Sequence, residues 1–165
     1  GAAKIRTILI MGLQDSVGVD ALIRALHSPN DVSAAAHLPL HAALKSSVSY
    51  VRDAGSSVTA IRIEGSEASV EARCRALKKD LAELGEIEEL HRHNSSVFWR
   101  EVGDVAPFAA DMDLNVWRLS VPPASSVDVV EMVGREHDIL VFYDWGGGLI
   151  WLTVAPAARS AAMPA

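Results

Sequence analysis

The sequence predicts an α+β fold: a ferredoxin-like βαββαβ unit followed by a βαββ extension, with a largely antiparallel sheet and helices packed on one face. Three observations lead there. Short apolar or alternating runs of strand length recur at 6–11, 32–38, 57–64 and 87–90. Two stretches between them carry apolar residues at helical spacing, Val19-Leu22-Ile23-Leu26 and Val70-Cys74-Leu77-Leu81-Leu84. Beyond residue 91 the order strand, helix, two-strand hairpin returns, with no repeat of sequence.

The elements follow in order. The run 6–11 (R-T-I-L-I-M) is a buried-strand candidate that Gly12 breaks. Asp15 or Ser16 can cap the first helix, and Pro29 and Asn30 end it. The strand 32–38 is weakened by three alanines, and 39–55 reads as an irregular excursion between strands. In 57–64, Thr59, Ile61 and Ile63 alternate with Arg62 and Glu64, the pattern of a half-buried strand. Ser66 and Glu67 open the best helix, since a hydroxyl accepts from an orphan N–H and a carboxylate suits the positive dipole end. Gly85 ends it, and 87–90 closes the first unit.

Asn94 or Ser95 can cap a short helix bearing Phe98, Trp99 and Val102, followed by a loop over 103–115. In the strand 116–121, Trp117, Leu119 and Val121 should face the core, with Arg118 and Ser120 on the opposite face. Ser125-x-x-Asp128 has the form of a capping box before Val127, Val130 and Val133. Residues 139–154, I-L-V-F-Y-D-W-G-G-G-L-I-W-L-T-V, read as a hairpin whose glycines supply the positive φ of a tight reversal.

A chain of 165 residues that is 50% hydrophobic suits one domain with a real core, expected over 1–154 with a flexible tail over 155–165. Fifteen Lys and Arg against 21 Asp and Glu give a net charge of −6 with no basic cluster, which argues against nucleic acid as a partner. No apolar stretch approaches the roughly 20 residues of a membrane-spanning helix. The lone cysteine, Cys74, excludes an internal disulfide and makes a reducing, cytoplasmic setting the default. The abrupt entry into the first strand and the low-complexity end read as the edges of a piece of a longer protein.

The candidate chemistry is sparse. Gly146-Gly147-Gly148 lacks the following lysine and helix of a phosphate loop, so it reads as a turn. His91 and His93 would share a strand face, but two ligands rarely make a metal site. Cys74 lies on an apolar helix stripe and reads as an inert buried thiol. Arg118, beside Ser120, could meet a carboxylate or a partner, or form a structural ion pair with Asp144. Trp145 could rest against another surface or fold back over its own hairpin.

Two segments carry a family resemblance: V-W-R-L-S-V-P-P at 116–123 and D-W-G-G-G-L-I-W at 144–151. Together they resemble the C-terminal part of glycolate oxidase FAD-binding subunits, which belong to the vanillyl-alcohol-oxidase-type FAD-linked oxidases. Supporting pieces are Gly12-Leu13, V-S-A-A-A-H-L-P at 32–39, I-R-I-E-G at 61–65 and F-W-R-E at 98–101. The resemblance implies a C-terminal cap domain that covers FAD and the substrate, a small 2-hydroxy acid oxidised as glycolate is to glyoxylate. It also implies an N-terminal FAD-binding domain, to which nothing here corresponds, so the fragment is expected to be inactive alone and not to bind FAD by itself. Further implied partners are a related flavoprotein subunit and an iron–sulfur subunit. Trp117, Arg118, Ser120, Asp144 and Trp145 become candidates for the flavin or substrate side, or for a subunit contact. The competing expectation is a free-standing ferredoxin-like module that binds a ligand or a protein without enzymatic activity.

Overall fold

The computed structural model describes residues 3–110 and 113–155, so all but the first residue of the expected tail lies outside the described residues. Seven strands form one sheet in the order β4-β1-β3-β2-β6-β7-β5, every neighbouring pair antiparallel. The expected βαββαβ unit is present as β1 (Lys4–Met11), α1 (Asp15–Leu26), β2 (Ala34–Leu38), β3 (Val58–Gly65), α4 (Glu67–Leu81) and β4 (Ile87–Leu90). The excursion before β3 holds two one-turn helices, α2 (Leu40–Ala43) and α3 (Ser49–Arg52).

After β4 come α5 (Arg92–Gly103), α6 (Ala106–Ala109), β5 (Val116–Ser120), α7 (Ser126–Gly134), β6 (Ile139–Asp144) and β7 (Leu149–Val154). The strand order shows that β1-α1-β2-β3 and β5-α7-β6-β7 are the same unit, used twice. Each places its hairpin-return strand between the two parallel ones, and the units meet β2 to β6. Antiparallel contact at that seam relates them as a two-fold axis through the sheet would. Among the described residues a single ladder pair joins β2 to β6, His37↔Tyr143.

Strand periodicity explains the packing. On one face, Ile8, Ile10, Ile61 and Ile63 bury against Leu22 of α1 and Cys74 and Leu77 of α4. On the same face Val141, Tyr143, Ile150 and Leu152 take the valine stripe of α7, with Val19 of α1 joining the two patches. The opposite face is covered where the sequence suggested no cover: α5, α2 and α6 surround Leu9, Ala60, Phe98, Phe108 and Phe142.

Several local expectations are corrected. The N-cap of α1 is Gln14 rather than Asp15 or Ser16, because the Asp15 carboxylate is drawn to His37. Strand β2 starts two residues late, after Asp31 takes a left-handed turn with φ +50°. Helix α5 starts at Arg92, not after Asn94 or Ser95, and the Ser95 hydroxyl is buried against Thr7 of β1. His91 and His93 therefore sit at a helix start rather than on one strand face. The expected loop 103–115 contains α6, and Ser125 makes no side-chain cap bond before α7. Ser66 caps α4 as expected, accepting from the Ser69 N–H.

Candidate functional site

The seam positions a buried polar network and, beside it, an open cleft. At its closed part His37, fully buried, bonds Thr59 through Nδ1 at 2.8 Å and Asp15 through Nε2 at 2.9 Å. The Tyr143 hydroxyl donates to the other Asp15 oxygen at 3.2 Å. Burial works to raise the Asp15 carboxyl, but the bond and charge of His37, with help from Tyr143, outweigh it and hold it below its ordinary value. Burial, then the Asp15 charge, push the Tyr143 phenol far upward. Thr59, His37 and Asp15 stand in the order nucleophile, base, carboxylate. Thr59 is 0% exposed, so no substrate reaches it, and the network is structural.

The glycine run forms the hairpin turn Trp145–Gly147, where Asp144 Oδ1 accepts the Trp145 N–H at 2.7 Å. Its glycines do more than permit φ of +66° and +98° at Gly146 and Gly147. A Cβ on Gly146 would stand 2.0 Å from Leu26 Cδ1, and one on Gly147 would stand 2.9 Å from Val19 Cγ1. The turn is packed directly against α1, filling the seam beside β2.

Where β2 and β6 part, a cleft of about 450 Å³ opens, lined by Leu26, Arg62, Trp99, Val102, Asp144 and Trp145. The Arg62 guanidinium lies over the Trp99 ring at 5.4 Å; its Nε donates to Ser33 Oγ at 2.9 Å and stands 3.0 Å from Glu64 Oε1 in an ion pair. Trp99 is held from behind by its indole N–H, which donates to Thr7 at 2.8 Å. Burial raises the Asp144 carboxyl above its ordinary value, against the pull of the Trp145 N–H and the Arg62 charge.

The residues proposed from sequence divide among three places. Register puts Ser120, Leu149 and Asp144 side by side, and likewise Arg118, Trp151 and Phe142, all on the face away from α7. Arg118 lies over the Trp151 ring at 6.0 Å, in place of the ion pair with Asp144 that was one of its two readings. The Trp151 indole N–H beneath it is buried with no partner among the described residues. Trp117 shares the α7 face with Leu119 as expected, but on the outermost strand it is 57% exposed, so it is not a core residue. Trp145 is 75% exposed, which removes the reading of an indole folded over its own hairpin.

Sequence reasoning missed Arg62, Trp99 and the Asp15–His37–Tyr143 network as site-forming residues. The alternation in β3 did mark Arg62 as facing away from the isoleucines, but not what it would meet. Among the described residues no group of three or more His, Cys, Asp or Glu could hold a metal ion. Cys74 is buried as expected, and burial raises its thiol.

No protein-family model and no curated protein sequence matches this chain. Among solved structures, an alkyldihydroxyacetonephosphate synthase superposes with a TM-score of 0.57 at 13% identity, over 96% of this chain and 38% of its own. A 4-ethylphenol oxidase from Gulosibacter chungangensis, in complex with isoeugenol, gives a TM-score of 0.56 at 9% identity, over 91% of this chain and 38% of its own. At these identities the likeness is one of fold. The chain spans well under half the length of both proteins.

Proposed function

We propose that the chain is the cap domain of an FAD-linked oxidase of the vanillyl-alcohol-oxidase type. In the finer reading it belongs to a glycolate oxidase FAD-binding subunit that oxidises a small 2-hydroxy acid. The observation that carries the proposal is the near-complete superposition of this chain on about two fifths of an oxidase and of a synthase of the same fold. The W-R-L-S-V-P-P and D-W-G-G-G segments support the narrower family.

The residues suit a lid and not a whole flavin site. The tri-glycine turn runs into a strand and packs against α1, so it offers no helix N-terminus to a pyrophosphate. Arg118 and Ser120, exposed on that face, suit the edge of an anionic or carbonyl-bearing ligand laid on it. Bound FAD would accept the hydride of the substrate carbon. The chain's own part is to hold a carboxylate at Arg118 and to keep water from the covered face. On its exposed edge, Trp117 serves as a contact for another domain or subunit, such as the related flavoprotein and iron–sulfur subunits, and Asp144 and Trp145 border the lid.

In the complete flavin-loaded protein, Arg118→Ala should raise KM for glycolate by about 10- to 100-fold, the worth of a charge-assisted bond, with FAD content unchanged. An unchanged KM would remove the anion role. The isolated chain should show no tight FAD binding in a flavin titration, and tight binding would contradict the assignment as a lid.

A further inference from the structure

We propose that the cleft at the open end of the seam binds a free α-amino acid with an apolar side chain, its ammonium on Asp144 and its carboxylate on Arg62. The inference stands whether or not the flavin reading does, because it rests on this cleft alone.

Opposite charges line one cleft without pairing. Arg62 makes its ion pair with Glu64, and no ion pair joins it to Asp144. Among the described residues Arg62 uses Nε and Nη2 on Ser33 and Glu64, which leaves Nη1 unbonded. Asp144 uses Oδ1 on the Trp145 N–H and leaves Oδ2 unbonded. A zwitterion presents the complement of these two atoms on adjacent groups, and a simple cation or anion satisfies only one of them. Of the remaining lining, Ser33 is engaged by Arg62, and Leu26, Val102, Trp99 and the exposed Trp145 are apolar and suit an aliphatic or aromatic side chain. The volume of about 450 Å³ admits an amino acid of leucine to tryptophan size. Burial also raises the Asp144 carboxyl beyond what the Trp145 N–H and the Arg62 charge offset, so an ammonium arriving beside it would favour the ionised form.

The test is calorimetric titration of the 165-residue chain with L-leucine, 4-methylpentanoate, which lacks the ammonium, and 3-methylbutylamine, which lacks the carboxylate. L-leucine should bind one to one, and each half-ligand should bind at least about tenfold more weakly. Gly103 lines the cleft and its Cβ position faces open space, so Gly103→Leu should block binding without disturbing the fold. Asp144→Asn keeps the oxygen that accepts from Trp145 and should bring leucine down to the level of 4-methylpentanoate. The proposal fails if L-leucine gives no binding up to about 10 mM. It also fails if either half-ligand matches leucine, or if a folded Gly103→Leu chain binds as the unaltered one does. The half-ligand comparison decides the matter should a variant not fold.

Discussion

Replacing Gly147 by alanine should damage the seam more than the same change at Gly146, although the nominal clash at Gly146 is the closer one. Both residues have left-handed φ, +98° and +66°, and a Cβ there costs about 1–2 kcal/mol. The difference lies in what the new methyl meets. At Gly146 it meets Leu26 Cδ1 at 2.0 Å, the tip of a side chain that is 41% exposed and can swing into solvent. At Gly147 it meets Val19 Cγ1 at 2.9 Å, and Val19 is 2% exposed and β-branched within α1, with one preferred rotamer. Overpacking a site that cannot give way adds about 1–3 kcal/mol, so Gly147→Ala should cost about 2–5 kcal/mol in all. Gly146→Ala should stay near about 1–2 kcal/mol. Urea unfolding at constant m reads both values. Thermal melts should fall by about 2–4 °C per kcal/mol in a chain of this size. In a double-mutant cycle, Val19→Ala with Gly147→Ala should return about 1–3 kcal/mol of coupling, the clash component. Equal costs at the two glycines, or a coupling near zero, would refute this account of why the turn needs glycine.

Two further outcomes are expected. The Asp15 carboxyl is held below its ordinary value, so its share of stability is present above the unfolded value of about 3.9 and is lost as pH falls toward the folded one. Asp15→Asn should therefore cost about 1–2 kcal/mol at neutral pH, with the gap to the unaltered chain narrowing near about pH 3; urea midpoints at both pH values that show a constant gap would contradict it. Cys74, buried with its thiol raised, should react with an aromatic disulfide reagent only through opening of the α4 packing, at a rate that climbs with urea. Reaction in native buffer at the speed of a free thiol would show the site to be open.

The fold was legible where one element's own pattern decides its fate. Alternation placed β3, Ser66 marked the start of α4, and the glycine run marked the turn of the last hairpin. The order of elements then implied the sheet, including the echo of the first unit in the second. Capping was misread wherever a polar side chain had a distant partner: Asp15 serves His37, and Ser95 serves Thr7, 88 positions away. Trp117 was misplaced for a related reason. Alternation gives the face of a strand and not its position in the sheet, and β5 is an edge. The cleft was invisible because Arg62 and Asp144 come from separate units that meet only after the seam forms, and Trp99 is added by α5, which belongs to neither.

The polar residues of that seam have a physical reason to be there. Strands β5 and β7 are held by a ladder of five backbone pairs, whereas among the described residues β2 and β6 share a single ladder pair, His37↔Tyr143. A junction with so little ladder is weakly specified by backbone bonding, and a slip of one residue would turn each side chain to the other face. Ala35 and His37 point toward α1, while Ala36 and Leu38 point into the core that holds Phe142. A slipped β2 would drive the His37 ring into that apolar core, stripped of Asp15 and Thr59, at the cost of burying an unpaired polar group, about 1–3 kcal/mol or more. Gly18 adds a steric lock, since a Cβ there would lie 2.2 Å from His37 Nδ1 and the ring fits only against a bare backbone. Buried polar groups add little net stability as a rule. What Asp15, His37 and Tyr143 add here is register, and register is what brings Arg62 and Asp144 into the lining of one cleft.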